Sequence, residues 1–150
     1  MPIIYIIFSI LVLVGCDQAI KIWISSNVSL ESSHELIPGI LSITNLRNDG
    51  AAWSILAGQQ WLFSIITIIA IIAVVYFMIQ SKGKKLYLVS MTILLGGIIG
   101  NFINRLLDGY VVDMFQTDFI NFPVFNFADM CITFGIILLF IAIFKDGDLN

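Results

Sequence analysis

Two carboxylates stand where apolar sequence begins or ends: Asp113 follows a pair of valines, and Asp129 opens a long apolar run after FNFA. Between Gly96 and Asp129 the chain also sets Asn101, Asn104, Arg105 and Asn126. Polar and ionisable groups at the edge of a bilayer core are expensive to desolvate, so such a cluster reads first as a functional site. On a helix, Asn101 and Arg105 share a face at i, i+4, and Asn126 and Asp129 at i, i+3. Two carboxylates brought together from separate parts of a chain are the minimal equipment for hydrolysis by activated water. Held close, they resist simultaneous ionisation and share one proton near neutral pH. Asp108 and Asp118 lie nearby, but they read as solvated loop carboxylates with no asparagine or arginine at helical spacing around them.

The elements that must position these groups are transmembrane. Of 150 residues, 59% are apolar and 11% charged, where soluble domains run at about 45–50% and 25%. Four segments, near 3–23, 60–80, 86–106 and 124–144, approach the roughly 20 residues that span a hydrocarbon core. The fold class expected is therefore an all-α membrane protein of four transmembrane helices, a single domain over 1–150. Lys82, Lys84 and Lys85 crowd the link after the second span, and Lys145 follows the fourth. Lys and Arg collect on the cytoplasmic side. Both termini are thus expected in the cytoplasm, with Asp113 and Asp129 at the outer face.

The loop over 25–58 holds the longest polar stretch. Its LSITNL has the alternation of a short strand, while Ser29–Glu35 and Pro38-Gly39 read as turns, which gives a small extracytoplasmic β-containing loop. The AAWSIL piece after it suits re-entry into the interface, with Asn48 placed to bond its backbone. The connection 107–123 mixes acids and aromatics and suits an amphipathic segment lying in the interface over the site. Asp17 and Lys21 form an i, i+4 pair at the end of the first span, with Lys21 snorkelling toward the headgroups. In the second span Trp61 and Tyr76 suit interface anchoring. In the third, Gly96 and Gly100 form a small-xxx-small pair that admits another helix and brings the fourth span close. Cys16 and Cys131 read as small apolar fillers rather than a disulfide. His34 is a lone loop residue, and no metal-ligand spacing occurs.

GNFINR, VVDM and FNFAD, with DQAIK at 17–21 and RNDGAAW at 47–53, resemble in order the motifs of the lipoprotein signal peptidases (signal peptidase II), aspartic membrane peptidases of bacteria. The resemblance covers nearly the whole chain. It implies an enzyme of the bacterial cell membrane that cuts the signal peptide from prolipoproteins before a diacylglyceryl-modified cysteine. It implies Asp113 and Asp129 as catalytic, with Asn48, Asn101, Arg105 and Asn126 orienting them and the substrate. Asp17 and Lys21 are implied to brace the site from beneath. The implied partners are lipid-modified precursors, membrane lipid and, as inhibitors, cyclic peptide antibiotics; no nucleic acid, cofactor or metal is expected. Two positions depart from the family pattern. Asn104 stands where GNxxDR has its acid, leaving Arg105 more free positive charge, and Met130 stands where serine is usual.

Two rival readings follow from the same residues. LVGC at 13–16 resembles the lipobox of a lipoprotein precursor, but the segment before it has no Lys or Arg and three further spans follow. A small non-catalytic binding or transport protein is the alternative to an enzyme; internal repeats, which would favour a transporter, are not seen in the sequence.

Overall fold

The computed structural model describes residues 1–50 and 58–147. Its long helices are α1 (Ile3–Asn27), α2 (Gln60–Gln80), α3 (Lys85–Leu107) and α4 (Phe127–Gly147), and all four are long and apolar enough to cross a membrane. Among the described residues, β1 (Ser33–Ile37), β2 (Leu41–Asn48) and β3 (Val111–Thr117) make one antiparallel sheet in that order. The expected re-entry of AAWSIL lies outside the described residues.

Helix α3 is the post around which the others stand: 56% of its apolar window is buried, against 6% for α1 and for α2. Small residues make that possible. A Cβ on Gly96 would strike the Leu13 side chain of α1, and one on Gly100 would meet the Asp17 carboxylate at 2.7 Å. A Cβ on Gly97 would land on the Ala128 carbonyl and on Ile132 of α4, and one on Gly135 of α4 would meet the Leu94 backbone. The expected small-residue pair thus receives chiefly α1, and Gly97 with Gly135 brings in α4. Gly97→Ala is expected to cost about 1–3 kcal/mol by overpacking. Gly15→Ala, where nothing lies within 4 Å, is the matched control for thermal unfolding in detergent.

The sheet sits on the far end of α1, where Ile24 and Val28 pack with Val112 and Met114 of β3. This is why α1 runs four residues past its expected end at 23. The connection 107–123 is not an amphipathic interfacial segment: Val111–Thr117 is a strand paired along β2. The physical reason is that β2 would otherwise leave a row of unpaired backbone groups, and VVDM supplies two β-branched valines to a segment buried on both faces. The turn read over Ser29–Glu35 stops at Ser32, where Ser32 N bonds Ser29 O. Ser33 to Glu35 belong to β1, and Pro38-Gly39 is a turn as expected. Helix α4 begins at Phe127 rather than 124, because Phe125 is held in an extended bridge with Phe115.

The pairing of β2 with β3 slips once. Ile43 faces Phe115 and Leu46 faces Asp113, so β2 advances three residues where β3 advances two. Such a bulge changes which side chains share a face. It puts Asn48, and not Arg47, on the Asp113 face; Arg47 lies over the Tyr110 ring at 4.8 Å.

Candidate active site

Asp113 and Asp129 reach one pocket from different elements. Asp113 is the third residue of β3, and Asp129 lies in the first turn of α4. Backbone bonds tie the two elements: Phe115 N donates to Phe125 O at 2.8 Å and Phe125 N to Phe115 O at 3.1 Å. Asn126 follows at once. It is not on a helical face with Asp129, as its spacing suggested, but caps α4. Its Oδ1 accepts from Asp129 N at 2.9 Å, and its own N donates to Asp129 Oδ2 at 3.0 Å. This reciprocal capping box satisfies two otherwise unpaired donors and fixes the Asp129 rotamer.

The remaining oxygens are met by side-chain amides. Asn126 Nδ2 donates to Asp113 Oδ1 at 2.7 Å, and Asn48 Nδ2 to Asp113 Oδ2 at 2.8 Å. Asn101 Nδ2 donates to Asp129 Oδ1 at 2.7 Å. Asn48 is fixed in turn, since its Oδ1 accepts from Gly50 N at 3.0 Å. Arg105 sends Nη2 to Gly50 O at 3.4 Å and lies over the Phe63 ring, while its buried Nε has no partner among the described residues. Together with Gly50, the two carboxylates, the three asparagines and Arg105 line a cavity of about 200 Å³, whose apolar wall comes from Val111 and Phe122 to Phe125. That is smaller than the roughly 300 Å³ at which small-molecule pockets begin; it suits one peptide unit and a water.

Neither carboxylate of the pocket has a salt bridge among the described residues; the bridges there are Lys21–Asp17 and Lys84–Asp146. Burial pushes the Asp113 carboxyl up to about 6, against the hydrogen bond from Asn48, and the Asp129 charge adds to the rise. Two buried carboxylates held by neutral amides can bind a single proton between them and exchange it with water.

Asp17 and Lys21 lie behind the pocket rather than in it. Lys21 does not snorkel: it is 2% exposed, because α3 carries acceptors for it. Its Nζ donates to Asp17 Oδ2 and Asn101 Oδ1, both at 2.8 Å, and to Asn104 Oδ1 at 3.0 Å. Asn104 therefore faces Lys21 and Gln18, not Arg105, so the extra free charge expected on Arg105 has no basis in this contact. An acid at 104 would sit against Lys21. Asn104 Nδ2 also donates to Asp108 Oδ2 at 3.2 Å, one turn on, which corrects the reading of Asp108 as without a helically spaced asparagine. Asp118 takes Ser42 Oγ at 2.8 Å and serves the sheet. Gln18 was not singled out by the sequence, yet its Nε2 joins Asp17, Gly100 O and Asn104. A polar residue within a membrane-spanning run was the signal for it. Cys131 is buried as expected, whereas Cys16 faces outward from α1 and fills no gap; both are free thiols. No group of three or more His, Cys, Asp or Glu among the described residues could hold a metal ion.

The chain matches the family model of signal peptidase (SPase) II over residues 9–145. It is 55% identical to the lipoprotein signal peptidase of Latilactobacillus sakei over 93% of this chain and 92% of that protein. It is 50% identical to that of Lactiplantibacillus plantarum over 95% of each. A solved bacterial membrane enzyme superposes on 97% of this chain and 91% of its own, with TM-score 0.88 and 40% identity.

Proposed function

This chain belongs to the signal peptidase II family, removing signal peptides from prolipoproteins as an aspartic peptidase, and we propose that Asp113 and Asp129 are its catalytic pair. The family sets aside the non-catalytic alternative. The observation that carries the proposal is their convergence on one 200 Å³ cavity with only amide partners among the described residues. With one proton on the pair, the ionised carboxylate takes a proton from water as that water attacks the scissile carbonyl. The protonated partner polarises the carbonyl oxygen and then protonates the leaving amine. Asn48, Asn101 and Asn126 hold the carboxyls in register for this transfer. Arg105, whose Nε has no partner among the described residues, is offered to a substrate carbonyl.

The proposal extends to diacylglyceryl-modified precursors, whose acyl chains lie between the helices in the bilayer, and to cyclic peptide antibiotics as competitors for the pocket. Purified protein given such a precursor in detergent is expected to yield one shortened product, and no cleavage would overturn the reading.

The same proposal orients the molecule. Lys84 bonds Asp146, so the link between α2 and α3 and the end of α4 meet at one end, and the sheet and pocket lie at the other. The lysine-rich end is cytoplasmic by its charge. In a background lacking Cys16 and Cys131, Lys82→Cys and Glu35→Cys are expected to label from opposite sides of intact cells, Glu35→Cys from outside. Labelling of both from one side would reverse the assignment.

A further inference from the structure

Asn101 stands between two charged systems. Its Nδ2 donates to Asp129 Oδ1 at 2.7 Å, while its Oδ1 accepts from Lys21 Nζ at 2.8 Å. An ammonium has three donors and no acceptor. The Lys21 donors are matched by Asp17 Oδ2, Asn101 Oδ1 and Asn104 Oδ1. With its oxygen so held, the Asn101 amide cannot turn over, since the reversed amide would set N–H against ammonium and C=O against carboxylate. Asp17 is anchored independently, by Ala128 N at 3.1 Å and Gln18 Nε2 at 3.0 Å. The tie between α1 and the start of α4 therefore does not need Lys21.

We propose that Lys21 is a positioning residue for the cleavage reaction, acting through Asn101: it locks the amide N–H toward Asp129 and so keeps one carboxylate of the pair ionised at the acidic end of the working range. This rests on the reading of Asp113 and Asp129 as the catalytic pair. The groups that face Asp129 are Asn101 and Arg105 from α3, Asn126 from the cap, Asp113 from β3 and Lys21 from α1. Arg105 stays in place in every variant below, so its charge does not enter the comparison. A fixed N–H donor and a nearby cation both favour an ionised carboxyl. Their loss lets the pair hold its second proton to higher pH.

Lys21→Met alone strands Asp17 in a buried site and can abolish folding. The deciding variant is therefore Asp17→Asn/Lys21→Met, which removes both charges and keeps an acceptor for Ala128 N. With the folded, monodisperse variant, the acidic limb of the kcat/KM profile is expected to move up by about one pH unit. Activity one pH unit below the original limb then falls about tenfold relative to the plateau. Asn104→Leu removes the other amide acceptor of Lys21 but leaves the Asn101 bond, and its limb is expected to stay. Carboxyl ¹³C titration of aspartate-labelled protein should follow the same shift without any turnover. An unmoved limb in the charge-balanced variant, or an equal shift in Asn104→Leu, would overturn the proposal. Substantial turnover in Asp129→Asn would instead remove the catalytic reading, a separate result from either.

Discussion

Asp113→Asn and Asp129→Asn are each expected to lower turnover by about 10³-fold or more, and the double variant to be barely worse than either single one. An amide is close in shape to the carboxyl but can neither hold nor pass the shared proton. Groups that act as a unit lose their effect together. Asp118→Asn, which touches Ser42 on the sheet, is the control that keeps most activity. Losses that multiply, or a single variant that keeps substantial turnover, would show two independent residues instead of a pair.

The pH dependence follows from the same geometry. The Asp113 value of about 6 already contains the push of the Asp129 charge, so it describes loss of the last proton from the pair. The basic limb of kcat/KM, which reports the free enzyme, is expected near that pH. Stability carries the opposite side of this. The folded value lies above the 3.8 of a free carboxyl, so this group's contribution is fully present below about pH 4 and is lost as pH rises through 6. The loss is about 3 kcal/mol at 1.36 kcal/mol per pH unit. Denaturation midpoints of Asp113→Asn measured across that window should lack this component of the slope.

Asp17→Leu is expected to lower stability by about 3–5 kcal/mol, because it leaves the Lys21 ammonium buried without its carboxylate. Asp17 and Lys21 are 1% and 2% exposed, and water cannot replace the missing partner. Lys84→Ala, at the exposed pair with Asp146, should leave the melting temperature in detergent unchanged. Equal effects at the two pairs would mean that burial does not set the cost.

The sequence carried its spans openly, since an apolar run of bilayer length has few other uses, and it carried both carboxylates for the same reason. What it hid was direction. An i, i+3 spacing between Asn126 and Asp129 fits a helical face and a capping box alike, and only the Phe115–Phe125 bridge decides where the helix starts. Lys21 read as a headgroup contact because its acceptors, Asn101 and Asn104, lie some eighty residues away on another helix. The strand over Val111–Thr117 was masked by the acids and aromatics that follow it. Asn104 was placed beside Arg105 by adjacency in sequence, yet neighbours on a helix point about 100° apart.

The slip between β2 and β3 makes the length of β2 matter in odd and even steps. Removing one residue at Thr44 or Asn45 would erase the bulge and leave Leu46 opposite Asp113, Arg47 opposite Val112 and Asn48 opposite Val111, so that Asn48 keeps its face. Removing both would set Arg47 opposite Asp113 and bring a guanidinium to the carboxylate in place of the Asn48 amide. Natural or engineered variants of this segment should therefore tolerate the loss of one residue far better than the loss of two, with the parity of the strand, more than its composition, deciding whether an amide or a cation meets the carboxylate.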